Sequence, residues 1–204
     1  MKGIPVIISG PSGSGKGTVV DELLRQDKNF ALSVSATTRA PRPGEVHGTH
    51  YYFISKEAFK AKIEANDMLE YASYVGNYYG SPRSEIQRRL QQGTHVILEI
   101  EVQGALQVKE RCPDALMIFI APPDAATLEG RLRGRGTNTP EDIAKRMETA
   151  RREMKYLSSY DYLVINYENG AAEAARNIIG IVRAEQLRVS RSADFARNFF
   201  HEPQ

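Results

Sequence analysis

The chain has 204 residues, 41% hydrophobic and 25% charged, with a formal net charge of +2 at pH 7. That length allows one sizeable core with inserted subdomains, and so small a charge gives no argument for nucleic acid or a membrane surface as a partner. With Cys112 as the only cysteine, no signal-like lead in residues 1–5 and no run near the ~18 apolar residues of a membrane span, a disulfide-free protein of a reducing, cytoplasmic compartment is expected.

The apolar run Val6-Ile7-Ile8 predicts a buried strand over 6–9, and a helix is expected over 16–26. Alternation over 30–35 predicts a second strand. Prolines and glycines in TTRAPRPGEVHG (37–48) exclude regular structure there. Residues 50–54 are β-like, and Ser55 is placed to cap a helix with Phe59 and Ile63 on one face. The aromatic and β-branched stretch 68–79 suits a small antiparallel sheet. Ser81-Pro82 opens a helix carrying Ile86 and Leu90 and ended by Gly93. HVILEI (95–100) and ALMIFI (115–120) suit strands covered on both faces of a parallel sheet. Thr139-Pro140-Glu141-Asp142 starts a helix with a capping hydroxyl, a proline at the first position and acids against the dipole. Its expected stripe is Ile143, Met147, Ala150, Met154 and Leu157. YLVIN (162–166) reads as the last strand and 171–189 as the closing helix. Strands separated by helices give an α/β fold with a parallel sheet core flanked by helices. The stretch from about 37 to 80 breaks that rhythm as an inserted β-rich region. The tail 185–204, with Phe195, Phe199 and Phe200, is left open between a short helix and a frayed end.

GPSGSGKGT (10–18), between a strand and a helix, is the strongest chemical signal. Gly10, Gly13 and Gly15 let the backbone turn, with Pro11, Ser12 and Ser14 between them, so that N–H groups converge on phosphate oxygens. Lys16 reaches the outer phosphates of a triphosphate. Gly17 stands where the usual pattern has a magnesium-facing Ser or Thr. Thr18 is the candidate replacement, touching either the metal or the phosphate. Arg39 and Arg42 offer planar donors for a second phosphate, in the same region as Tyr51, Tyr78 and Tyr79. The four histidines, His47, His50, His95 and His201, have no ligand-like spacing with Cys112, so no structural zinc is expected. Arg151-Arg152-Glu153 reads as an exposed helix face. No catalytic triad and no acidic pair for glycoside chemistry is present.

SVSATTRAPRPGE, GNYYGSP, IEVQGA, FIAPP and RLRGRGT follow the phosphate loop in that order. Together they resemble the guanylate kinases, P-loop nucleoside monophosphate kinases that move a phosphoryl group from ATP to GMP. The resemblance covers about residues 5–182. It implies a kinase-like domain over 4–184, with a P-loop core, a GMP-binding region over about 37–80 and a helical lid over about 124–150. It assigns the GMP phosphate to Arg39, Arg42, Tyr51 and Tyr79. It assigns guanine to Ser35, Glu70 and Ser81, with Glu101 as a further acid. Arg131, Arg135 and Arg146 are expected at the transferring phosphate and the ATP side, and Asn166 near the adenine. The implied cofactors are Mg2+ and ATP as donor, and the implied reaction is GMP to GDP, with dGMP also accepted.

The family pattern often has Asp where Glu99 and Glu101 stand. The end of a buried strand facing a P-loop is where a carboxylate holds magnesium or its waters, and glutamate moves that charge about one methylene further. Ser81 has a second reading as a helix N-cap. Glu70 is the expected guanine selector, because an ionised carboxylate only accepts and can take both the ring N–H and the exocyclic amine. Two rival readings stand beside this one. One is a related P-loop kinase for another phosphorylated acceptor. The other is a non-catalytic guanylate-kinase-like binding module, against which Lys16, the glycines and the lid arginines count. ATP and GMP are the expected partners, with no nucleic acid and no membrane; oligomeric state is not legible.

Overall fold

The central strand of the protein is β1 (Pro5–Ser9), all five residues of which are buried. In the computed structural model, which describes residues 2–134, 136, 138–192, 195 and 199, it is flanked by β7 (His95–Glu99) and β8 (Leu116–Ala121). Outside these lie β2 (Phe30–Leu32) and β9 (Tyr162–Ile165), giving the order β2-β7-β1-β8-β9 with every pair parallel. Alternate residues face opposite layers, as the strand period requires. Val6, Ile8, Ile97 and Ile118 meet α1 (Lys16–Gln26) and α7 (Ala171–Gln186) through Val19, Leu23, Ile178 and Val182. Ile7, Leu98 and Met117 meet α3 (Arg83–Gln91) and α4 (Val102–Arg111) through Ile86, Leu90, Ala105 and Val108. Burial on both faces is why these strands read as continuous apolar runs.

A second sheet, β4 (Tyr52–Phe53), β3 (Ala36–Thr37), β6 (Asn77–Pro82) and β5 (Met68–Tyr74), stands apart in that order. β5 and β6 form an antiparallel hairpin whose turn has positive φ at both Val75 (46°) and Gly76 (73°), the twist that suits a tight hairpin. α2 (Lys56–Glu64) covers it, capped by the Ser55 side chain on Ala58 N–H at 3.1 Å. Phe59 is fully buried there and stacks on Tyr78 with ring centroids 5.4 Å apart. Finally α5 (Ala125–Gly134) and α6 (Pro140–Met154) pack on each other through Leu128, Leu132, Ile143 and Ala150, a cluster separate from the main core. Thr139 and Asp142 form the capping box that starts α6.

Several boundaries differ from the expectations. The strand foreseen over 30–35 ends at Leu32, because the chain changes sheets: Ser33 N–H still bonds Ile97, whereas the Ser35 carbonyl accepts from Tyr52 in the second sheet. Ser81 and Pro82 belong to β6, so Ser81 does not cap α3. Asp67 does so from outside, taking the Ser84 N–H at 2.8 Å. The stripe on α6 stops short: the helix ends at Met154, which is exposed, and Leu157 lies in a 3₁₀ turn. The closing helix ends at Gln186 rather than 189, followed by a 3₁₀ turn at Val189–Arg191. Helix α4, which no local start signal announced, begins directly after β7 with no side-chain cap. Phe195 and Phe199 are exposed, with rings 5.6 Å apart, while Phe200 and His201 lie outside the described residues. Among the described residues no helix is long and apolar enough to cross a membrane.

His95 is a structural histidine. It is buried, its ring lies 4.9 Å from Phe30, and its Nδ1 accepts the Ile4 N–H at 3.0 Å. Burial holds its pKa below the ordinary 6.5. The buried neutral ring therefore contributes stability that is present above pH 6.5 and is lost as pH falls toward the depressed folded value. His95→Phe keeps an apolar ring but loses the acceptor, at a cost of about 1–3 kcal/mol at pH 7.5. In thermal melts the gap between parent and variant should narrow as pH falls to 5.5; a gap independent of pH would contradict this role.

Candidate active site

The loop between β1 and α1 leaves no room for a side chain at Gly10 or Gly15. A Cβ on Gly10 (φ 143°) would fall 2.0 Å from the Ile120 carbonyl oxygen. One on Gly15 (φ 83°) would fall 2.4 Å from Asn166 Nδ2. Only glycine satisfies both the backbone angle and the contact. The loop ends at Lys16, the first residue of α1, whose Nζ donates to the carbonyls of Gly10 and Pro11 at 2.5 and 3.2 Å. Gly17 is different: a Cβ there would meet nothing within 4 Å. Packing therefore does not account for the missing hydroxyl.

A cavity of about 490 Å³ opens over this loop, lined by Gly10, Ser12, Gly13, Gly15, Lys16, Gly17 and Thr18. Glu99, Ile100, Glu101 and Glu153 close its other side. Backbone N–H groups at a helix start on one wall and carboxylates on the other suit a phosphate chain with a hard cation. Among the described residues no three metal-ligating side chains are preassembled. The expectation that residues 151–153 form an exposed face is corrected at Glu153. Arg151 and Arg152 are exposed, but Glu153 is half-buried, and its Oε2 is buried without a hydrogen bond. Burial raises its pKa, against the lowering effect of Lys16.

Beside this lies a second cavity, of about 210 Å³, between α4 and the smaller sheet. Ser35, Tyr51, Glu70, Tyr79 and Glu101 line it together. Ser81 is fully buried and donates its hydroxyl to Glu70 Oε1 at 2.7 Å. The Glu70 carboxyl is pushed up by burial, held back by the Ser81 bond, and raised again by the charge of Glu101. Arg39 is held by Glu45 in a two-pronged ion pair at 2.8 and 2.9 Å and lies over the Tyr51 ring, 5.6 Å from its centroid. The Arg39 guanidinium, with the Arg42 N–H at 2.7 Å, holds the Glu45 carboxyl down at about 2. Arg42 itself is exposed. The two cavities share Ile100 and Glu101 at the end of β7.

Two of the three expected arginines touch the phosphate loop. Arg131 on α5 donates to the Ser14 carbonyl at 3.3 Å and the Asn166 carbonyl at 2.8 Å. Arg146 on α6 donates to Ser12 Oγ at 2.7 Å. Arg135 lies outside the described residues. Asn166 is buried after β9, and its side-chain amide donates to the same Ser14 carbonyl at 2.8 Å. Loop, last strand and α5 are thus tied at one oxygen.

The guanylate kinase family profile matches residues 2–184 of this chain. Curated relatives named guanylate kinase include those of Desulfitobacterium hafniense (strain Y51) and Streptococcus thermophilus (strain CNRZ 1066). Each is 50% identical, over 93% of this chain and 94% of the first relative, and over 98% of this chain and 96% of the second. The chain belongs to the guanylate kinase family. A solved guanylate kinase, from Anaplasma phagocytophilum, is similar at a TM-score of 0.67 and 34% identity, covering 92% of this chain and 88% of that one.

Guanylate kinase membership accounts for the order of the motifs; the structure adds residues that the motifs did not single out. Glu153 needed the packing of α6, since its neighbours are ordinary surface charges. Tyr71, Gly104 and Gln107 line the second cavity, and only the spacing of Glu101, Gly104 and Gln107 hinted at a shared helix face. The raised Glu70 pKa carries a stability cost. A carboxyl raised in the folded state loses stability for the protein as pH rises above 4.5 and through the folded value. Glu70→Gln should therefore melt higher than the parent at pH 7.5, by roughly 2–4 °C for each kcal/mol the shift costs in a domain of this size. The difference should shrink toward pH 4.5. A variant that melts lower at pH 7.5 would show that the ionised carboxylate is structurally required.

Proposed function

We propose that this chain performs the reaction of its family, transferring the terminal phosphoryl group of ATP to GMP to give ADP and GDP. The observation that carries this is the adjacency of the two cavities: a phosphate loop and a pocket with a buried carboxylate meet at Ile100 and Glu101. A phosphate oxygen of GMP attacks the terminal phosphorus of ATP as the bond to the bridging oxygen of ADP breaks. Such a transfer asks the protein mainly for positioning and charge neutralisation.

In this reading the loop amides from Gly10 to Thr18, with Ser12 and Ser14, hold the ATP phosphates. Lys16 turns from the Gly10 and Pro11 carbonyls to meet the outer phosphates. Arg131 and Arg146 bring positive charge from α5 and α6, and Arg135 joins them. The apolar cluster inside α5–α6 lets this pair act as a lid that excludes water, the competing acceptor. Asn166 sets the wall on the adenine side. Arg39, pre-oriented by Glu45, binds the GMP phosphate with Arg42, Tyr51 and Tyr79. Glu70 takes the paired donors of guanine, with Ser35, Ser81 and Glu101 beside it. Thr18, Glu99 and Glu101 offer oxygens to Mg2+ or its waters. The cation, when bound, neutralises charge on the phosphates and fixes their geometry. dGMP fits the same contacts to base and phosphate.

Two variants test the proposal in one coupled assay. Lys16→Ala creates no cavity and should fold normally while losing about 10²-fold or more in kcat, the scale of losing a preorganised donor. Glu70→Gln should lower kcat/KM for GMP by about 1.5–3 kcal/mol and erode its preference over AMP. Normal turnover in a folded Lys16→Ala protein, or an unchanged ratio of GMP to AMP use in Glu70→Gln, would refute the assignment.

A further inference from the structure

Helix α4 presents Glu101, Gly104 and Gln107 to the acceptor cavity at three-residue intervals, so they share one face. Gly104 lies beside the selector: a Cβ there would stand 3.6 Å from Glu70 Oε2. Gln107 is the next residue on that face. It is half-buried, lines the same cavity, and among the described residues its carboxamide takes part in no hydrogen bond. Its amide is not among the buried unpaired groups, so it is open to the cavity and available to a ligand without breaking an existing bond.

The donor inventory of the pocket narrows what Gln107 meets. If Glu70 takes the N1–H and the exocyclic amine, guanine still shows two acceptors on the neighbouring edge, O6 and N7. A carboxylate cannot serve them. The Ser81 hydroxyl is already spent on Glu70. Tyr51 and Tyr79 lie at the Arg39 end of the pocket, where Arg39 sits over the Tyr51 ring and the Tyr51 and Tyr79 rings are 6.1 Å apart. The Tyr71 ring packs on the Phe59 cluster and under Arg111. That leaves Ser35 and the Gln107 amide as donors.

We propose that Gln107 is a further specificity-determining residue, whose side-chain N–H donates to the O6–N7 edge of guanine. This rests on the guanylate kinase reading of the pocket. The contact forms with the base, remote from the reacting phosphates, so it acts through KM and leaves kcat nearly unchanged. Its loss is worth about 3–10-fold, the range of a single neutral hydrogen bond.

The test compares GMP, 6-thio-GMP (a weak acceptor at position 6) and 7-deaza-GMP (no acceptor at position 7) in the parent, Gln107→Leu and Ser35→Ala. In the parent, one analogue should lose about 3–10-fold in kcat/KM, and which one it is tells which atom is bound. In Gln107→Leu, GMP should fall to the level of that analogue and the penalty should vanish. A penalty that persists in Gln107→Leu overturns the inference, as does one that disappears only in Ser35→Ala. Should Gln107→Leu fail to fold, Gln107→Glu keeps the shape and replaces the donor by an acceptor; it should lower GMP use still further and likewise erase the analogue penalty. Retention of the penalty there overturns the inference too. A parent with no preference for GMP over AMP would instead refute the reading of the pocket, a distinct outcome.

Discussion

The close approach of the phosphate loop to its neighbours governs the rest of the structure. Gly10 lies against the Ile120 carbonyl of β8 and Gly15 against the Asn166 amide that follows β9, so the loop can exist only if those strands stand in register beside β1. Register follows from burial: a one-residue slip would turn Ile7 and Ile8 to the wrong layers. The parallel order then collects the carboxyl ends of β1, β7, β8 and β9 along one edge, the position where open α/β sheets bind ligands. Glu99 and Glu101 at the end of β7 and Asn166 after β9 reach that edge from two distant stretches of chain because of this topology.

The second sheet adds what the core lacks. A parallel sheet buried on both faces has no free surface on which to build a second pocket. The β5–β6 hairpin supplies one, and α4 forms its opposite wall. Glu70 sits between them, 9% exposed, where an ionised carboxylate is disfavoured and only partly compensated by Ser81. If Glu70 meets the base as proposed, that unfavourable state is what lets the site discriminate. A ligand with two adjacent donors relieves it, whereas one that presents an acceptor makes it worse. Arg39 and Glu45 follow the opposite logic. Their ion pair is satisfied before any ligand arrives, which fixes the guanidinium over the Tyr51 ring, so in the proposed role phosphate would bind it at little ordering cost.

Most of the core was legible from residue pattern. The runs at 6–9, 95–100 and 115–120 appear as strands, and the capping signals at Ser55 and Thr139 act as caps. Local pattern failed where long-range pairing decides. Leu32 ends a strand because Ser35 pairs with Tyr52 in another sheet. Ser81 lies in a strand because β6 continues along β5, so the proline behind it misled the reading of a helix start. Helix α4 starts without a capping side chain and carries a glycine in its interior, both of which hide it from local rules. The candidate residues of the two sites were nearly all legible because they sit in dense short motifs. Gln107 and Glu153 were not, since each acquires its place only from the packing of its helix.

The proposed transfer requires one chain to align two phosphates and to keep water from competing. The direct measurement is ADP release by the unmodified protein with Mg2+ and ATP, with no acceptor and then with GMP, dGMP, AMP, CMP or UMP. ATP hydrolysis should be negligible without an acceptor, turnover rapid with GMP, appreciable with dGMP and small with the other three. Hydrolysis that proceeds equally well without GMP, or turnover that favours AMP, would contradict it.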